Sequence, residues 1–238
     1  MSDRDTYALR LGDDALVLSQ RLSWWSSRAP ELEEDLALTN IALDQLGQAR
    51  ALLSSAGDED ELAFLRGDRE FLNLLIVEQP NGDFATTIAR QLLFSVFQLR
   101  RYEALVGHPD DVIGGVAGKA VKEVAYHRDH AVKWTLRLGD GTEESHRRMQ
   151  AAVDGLWPYT HEMLAQDPFE AQAGIDPAEL RGDWEEFVGG TLHDATLTTP
   201  EPGDWRPAGG RQGLHSEGLG HMLAEMQSLR RAHPGATW

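Results

Sequence analysis

Apolar residues along this chain recur at the spacing of helices. The stretch from 36 to 56 shows the pattern most clearly, with apolar positions Leu36, Ile41, Leu43, Leu46, Leu52 and Leu53. Its middle also carries Asp44, Gln45 and Gln48, in a turn that the pattern predicts to be buried. The pattern therefore predicts a helix that brings polar side chains into a core.

The same periodicity predicts four core helices over approximately 13–27, 31–56, 83–107 and 110–138. It predicts additional helices over approximately 142–166, 176–197 and 215–232, with a bend at Pro158. One or two short helices are expected between 58 and 79, and the proline- and glycine-rich stretch 198–213 is expected to be a loop. No convincing strand is present, so we expect an all-α helical bundle that forms a single domain over 1–238.

Composition restricts the classes of function. Acidic residues outnumber basic ones by 39 to 22, and the net charge of −17 argues against nucleic acid or an anionic membrane as the principal partner. Cysteine is absent, which excludes disulfides and thiolate metal ligands. The N-terminus has no basic and apolar leader, and no apolar run is long enough to cross a bilayer, so we expect a cytoplasmic protein.

Two pairs of residues have the spacing of a di-iron site without its ligands. Di-iron helical bundles use Glu-x-x-His pairs on two helices and single carboxylates on two others. This chain has Gln45 and Gln48 at that spacing in one helix, and Val124 and His127 in another. Amides are neutral and valine cannot bind a metal, so the four positions are predicted to be a degenerate metal site.

Asp44 and Glu123 are predicted to form a residual polar network at these positions, together with His127 and His130. The cations available on or near the same helices are Arg21, Arg50, Arg90 and Lys119. Because a buried charge without a partner is costly, we expect carboxylates and cations to pair in the former metal volume. An ordinary core or surface role for Glu123 and His127 explains the sequence equally well.

Three other motifs are incomplete. The glycine-rich run from Gly114 to Lys119 is one residue shorter than a P-loop and has no preceding strand. His161-Glu162 begins a zincin-like motif, but Ala165 stands where the second histidine belongs. Glu217 and His221 are four residues apart among glycines, which favours a capping or surface role.

In these and other stretches the chain resembles the phenylacetic-acid catabolic protein family. The resemblance rests on LRLGDDALVLSQRLSWW, APELEEDLALTNIALDQLGQAR, NLLIVEQPNGDFATTIARQ, KEVAYH and GLHSEGLGHMLAEMQSLRR. It implies a ferritin-like fold. It also implies a catalytic homologue in the family that has Asp-Glu-x-x-His where this chain has 44–48 and Glu-Glu-x-x-His where it has 123–127. This chain departs from both motifs at positions that bind the metal.

The resemblance further implies a non-catalytic, metal-free structural subunit of a multicomponent phenylacetyl-CoA epoxidase, with no catalytic residues and no cofactor of its own. Its partners would be a homologous di-iron catalytic subunit, another small subunit, and a reductase that carries flavin and an iron–sulfur cluster and uses NADPH. Phenylacetyl-CoA would contact this chain at most indirectly. The alternatives are a di-metal oxygenase with an unusual ligand set and a ferritin-like interaction module of another complex.

Overall fold

The structure is a computed structural model that describes residues 2–236. Its α-helices, in chain order, are α1 (Asp3–Ser23), α2 (Leu32–Ala56), α3 (Glu59–Phe64), α4 (Leu75–Glu78), α5 (Phe84–Leu105), α6 (Asp111–Gly139), α7 (Glu143–Leu156), α8 (Thr160–Met163), α9 (Pro168–Gln172), α10 (Pro177–Asp194), α11 (Glu217–Met226) and α12 (Ser228–Ala232). Short 3₁₀ helices cover Asp68–Glu70, Trp157–Tyr159 and Gly210–Gln212. No strand occurs in residues 2–236, so the all-α prediction is confirmed.

The chain divides into two compact units. Unit 1 comprises 1–80 and 208–238, as far as these residues are described, and unit 2 comprises 81–207. The prediction of a single domain stays a prediction. Within the described range, no helix is long and apolar enough to span a bilayer.

In unit 1 the two long helices α1 and α2 pack against each other. Ser2 begins α1 with a capping box, in which its hydroxyl accepts from the backbone N–H of Asp5 and the Asp5 carboxylate accepts from the N–H of Ser2. The helices approach closely at Gly12, where an added Cβ would lie 3.0 Å from a side-chain carbon of Leu53. The Ser19 hydroxyl donates to the carbonyl of Ala42 across the same contact, at 2.8 Å.

In unit 2 the central pair is α5 and α6, and both α7 and α10 pack on it. The carboxylate of Asp83 caps α5, and that of Asp110 caps α6. Helix α5 is buried along nearly its whole length, because it has neighbours on several sides. Trp184 of α10 is buried and donates its indole N–H to the carbonyl of Leu93 at 2.9 Å.

Four helical segments differ from the sequence-based expectation. Helix α1 begins at Asp3 instead of near 13, since Ser2 caps it and the contact with α2 accommodates Gly12. The helix expected over 142–166 is interrupted by a 3₁₀ turn that contains Pro158, whose ring removes a backbone donor. The last helix is divided at Gln227, and α9 was not expected at all.

Glycine substitutions in α6 test the packing of unit 2. An added Cβ at Gly139 would overlap the carbonyl oxygen of Ala195, whereas nothing lies within 4 Å of one at Gly118. We expect Gly139→Ala to lower the free energy of unfolding by about 1–3 kcal/mol through overpacking. Gly118→Ala should raise it by about 0.5–1 kcal/mol, because alanine is the better helix former. Denaturant unfolding checks both, and effects of the same sign would contradict the packing described.

Candidate functional site

The two glutamines of the predicted metal site lie one turn apart on the buried face of α2. Gln45 and Gln48 are buried, and so are Ile41 and Leu52 on the same face. Asp44 is half-buried beside them. Unit 1 thus presents two neutral amides where a di-iron helix presents a carboxylate and an imidazole.

The corresponding pair in unit 2 lies on the buried face of α6. Val124 and His127 are fully buried. Glu123 pairs with Nζ of Lys119 at 3.1 Å, but the lysine side chain is 77% exposed. Because the lysine is largely in water, solvent screens the pair and it contributes little stability, although Glu123 is only 14% exposed. His130 is also buried, and the Tyr126 ring lies over it with a centroid distance of 6.4 Å.

The structure therefore places each pair on one helix face, with the glutamines in unit 1 and Val124 and His127 in unit 2. That the four positions together are a degenerate metal site stays a prediction. Among the residues described, no group of three or more His, Cys, Asp or Glu side chains is placed to hold a metal ion. Amides and a valine are poor ligands for iron, so the residues present do not fit a di-iron centre.

Three of the cations predicted to fill this region have other partners in the structure. Arg21 donates to the main-chain carbonyls of Glu78 and Gly218. Arg50 pairs with Glu59 at 2.9 Å on the surface. Arg90 is buried, and its guanidinium donates to the side-chain oxygen of Asn81 at 2.7 Å.

In the residues that the structure describes, the three incomplete motifs do not form the sites that their sequences resemble. The glycine-rich run that ends at Lys119 lies inside α6, where it cannot form a phosphate-binding loop. Burial lowers the pKa of His161, and the nearby charges of Arg206 and Arg181 lower it further. Glu217 and His221 are exposed on α11.

The main polar centre of unit 1 was not anticipated from the sequence. Asp13 lies in the middle of α1 and is fully buried. Its carboxylate receives two hydrogen bonds from Arg66, at 3.0 and 2.5 Å, and one from the backbone N–H of Leu72 at 2.9 Å. Burial raises the pKa of Asp13, against the opposing effects of Arg66 and of the N–H.

Asp14 is equally buried and has a second arginine of its own. Arg211 binds both of its oxygens, at 3.0 and 2.8 Å, and the backbone N–H of Leu74 adds a third bond at 2.8 Å. Arg211 also donates to the carbonyls of Arg10 and Leu72. This guanidinium therefore fixes α1, the 72–74 segment and the 208–216 segment to one another.

A third buried carboxylate, Glu78, lies at the end of α4. It accepts from the amide of Asn73 at 2.9 Å and from the backbone N–H of Ser216 at 2.6 Å. Nδ1 of His215 lies 2.7 Å from the same carboxylate, while Nε2 lies 2.9 Å from the carbonyl of Phe71. Both ring nitrogens of His215 therefore lie within hydrogen-bond distance of oxygen atoms, which fixes the orientation of the ring.

Sequence reasoning placed Asp13 and Asp14 at a helix start, where acidic residues are common. The signal against that interpretation is the apolar run on both sides of them, from Leu9 to Leu18, which makes the pair part of a buried helix interior. Their partners were not accessible to pattern reasoning, because Arg211 lies 197 positions away from Asp14.

A matched pair of arginine variants tests this network. Arg211→Ala removes the guanidinium that binds both oxygens of the buried Asp14, and we expect it to lower the free energy of unfolding by about 3–5 kcal/mol. Arg50→Ala removes an arginine from an exposed pair with Glu59 and should cost at most about 1 kcal/mol. Urea unfolding monitored by circular dichroism measures both. Similar small losses for the two variants would refute the assigned role of Arg211.

Comparison with known proteins identifies the family of this chain. The model of the family described as "Phenylacetic acid catabolic protein" matches residues 3–238. The chain is 47% identical, over 249 aligned residues covering 100% of both sequences, to one of the subunits of the 1,2-phenylacetyl-CoA epoxidase of Escherichia coli strain K12. It also resembles the structure of "Protein 19 with aldehyde deformylating oxidase activity from Synechococcus", with a TM-score of 0.60 and 17% identity over 83% of this chain and 92% of that one. That likeness shows the ferritin-like helical fold and confirms the predicted fold class.

One sequence-based prediction is contradicted. We expected a chain that is not an enzyme, but it matches the phenylacetic acid catabolic protein family and shares its fold with a structure named for aldehyde deformylating oxidase activity, and these findings contradict that expectation. Gln45, Gln48 and Val124 stand at positions where a di-iron protein has metal ligands. Their presence does not establish that the chain is non-catalytic. The resemblance noted in the sequence is confirmed, and the chain belongs to the phenylacetic acid catabolic protein family.

Proposed function

We propose that the chain is part of a 1,2-phenylacetyl-CoA epoxidase in aerobic phenylacetate catabolism, as one of its subunits, and that it acts in the cytoplasm. Its contribution is to dock with a homologous chain and to stabilise it. The observation that carries the proposal is the 47% identity to the Escherichia coli epoxidase subunit, which extends over the full length of both chains.

In this proposal the partner chain holds the di-iron centre of the complex. The support is the donor set, since α2 offers Gln45 and Gln48 and α6 offers Val124 at positions where a di-iron bundle needs carboxylates and imidazole. Iron bound there would supply the activation of dioxygen. A reductase with flavin and an iron–sulfur cluster, fed by NADPH, completes the assembly, and phenylacetyl-CoA contacts this chain at most indirectly.

Docking has a physical rationale. A bundle that binds two iron ions buries several carboxylates, and buried charges destabilise a fold before the metal arrives. A partner that binds only the folded form stabilises it by mass action. Unit 1 of this chain meets the same difficulty with internal arginines, since Asp13 pairs with Arg66 and Asp14 with Arg211. It therefore has a stable framework to offer without iron.

Co-expression tests the proposal. The homologous family chain that keeps the acid-x-x-His pairs is produced with and without this chain. We expect its soluble yield, its melting temperature and its turnover of phenylacetyl-CoA, measured with reductase and NADPH, all to fall when this chain is absent. The reason is the loss of the stabilising contact.

Iron analysis of the separated chains accompanies this experiment. We expect iron to follow the homologous chain. A homologous chain that is soluble and fully active alone would contradict the docking role. Near-stoichiometric iron in this chain would contradict the location proposed for the metal, whatever the outcome for docking.

A further inference from the structure

Helix α2 carries apolar residues on two opposite faces. One face is buried in unit 1 and includes Leu38, Ile41 and Leu52, which have no exposed surface. On the opposite face, Leu32, Leu36 and Leu43 are 72%, 57% and 58% exposed. Leu36 and Leu43, which the apolar pattern groups with Ile41, therefore lie outside the core of this chain. Leucines at these exposures contribute little core packing to this chain.

The exposed leucines form a regular row. Leu32, Leu36, Thr39, Leu43 and Leu46 follow one another at intervals of 4, 3, 4 and 3 residues, and Thr39 and Leu46 are half-buried. This alternation is the spacing by which one helix packs along another in a coiled coil. The row extends for about 21 Å at the rise of an α-helix. We call these five residues the outer seam.

Other exposed leucines lack this arrangement. Leu65, Leu214 and Leu229 are 50% to 60% exposed, but they lie in three separate segments of unit 1. Single exposed leucines are ordinary on protein surfaces, whereas apolar residues in register on one helix face are typical of an interface. The spacing and the length of the outer seam favour a helix as its occupant.

Charges beside the outer seam indicate what kind of helix can pack on it. Glu31 and Glu33 are exposed at its N-terminal end. Arg50 follows at the other end, but its guanidinium is held by Glu59 at 2.9 Å and 3.3 Å. A second copy of this chain would bring the same acidic groups and a further net charge of −17. The charges therefore favour a partner helix flanked by lysine or arginine.

We propose that the outer seam of α2 is the surface by which this chain docks with its homologous partner, through a partner helix that has an apolar 3–4 row and basic flanking residues. The inference rests on the proposed function and adds the place of contact and the chemistry of the partner surface. The acidic end of the seam steers the association, and the leucines, once covered, slow dissociation.

Binding of purified variants to the immobilised homologous chain tests the inference. Leu36→Glu/Leu43→Glu places two charges in the seam. We expect it to raise the dissociation constant at least about 30-fold, as substitutions of central interface residues do. The matched control is Leu229→Glu, an equally exposed leucine on α12, which should change it less than about 3-fold. Because these leucines are exposed, the thermal midpoint of each variant should stay close to that of the unchanged chain.

A charge variant supplies a second measurement. Glu33→Lys should slow association with the partner at low salt, and the difference should disappear at high salt, where charges are screened. A salt-independent effect would overturn the proposed basic flank.

The outcomes separate the two proposals. If the unchanged chain binds the partner and the double variant binds equally well, the seam is not the docking surface, while the proposed function stands. If the unchanged chain does not bind the partner at all, both proposals fail. If the unchanged chain alone forms a dimer that the double variant abolishes, the occupant is a second copy and the inference is wrong.

Discussion

The stability of unit 1 depends on the neutralisation of two adjacent carboxylates buried in the middle of one helix. Asp13 and Asp14 have no exposed surface, and each is bound by its own arginine and by a backbone N–H. An ionised carboxylate in such a place is costly unless it is fully paired. Burial of α1 in the folded state therefore requires the segments that carry Arg66 and Arg211.

This requirement explains how distant parts of unit 1 are held together. Arg211 lies in a short glycine-flanked turn, and Gly213 adopts a left-handed conformation with φ of 76° against the carbonyl of Arg69. Beyond the turn, His215 and Ser216 bind Glu78 at the end of α4, which sets where α11 begins. The polar network thus orders the C-terminal segment that the hydrophobic pattern leaves as a loop.

Helix α2 connects this framework to the proposed function. Its inner face packs against α1 and includes the buried amides of Gln45 and Gln48. Its outer face carries the exposed leucines of the outer seam, to which the inference above assigns a role in binding. In the proposed function, a family member whose donor set does not fit iron supports in this way a homologue whose carboxylates bind the metal.

Hydrophobic periodicity and caps were sufficient to predict the all-α class and most helices. Helices α2, α5 and α6 lie within two residues of expectation, because Asp83 and Asp110 mark where α5 and α6 begin and a glycine, Gly57, follows α2. Periodicity could not distinguish the two apolar faces of α2, since Leu36 and Leu43 are as apolar as Ile41. Nor could the sequence pair Asp14 with Arg211, because such contacts depend on tertiary packing between segments far apart along the chain. The spacing along the sequence showed that the ligand pairs are incomplete. The expectation of a non-enzyme went further than these residues allow, and the family and the fold contradict it.

The central claim is that this chain docks with a homologous chain through the outer seam of α2. An experimentally determined structure of the two-chain complex tests it most directly, through the exposure of Leu36 and Leu43. The account predicts that both side chains are buried against a partner helix with lysine or arginine near Glu33. A complex in which these leucines remain exposed to solvent, with the partner bound elsewhere, would contradict it.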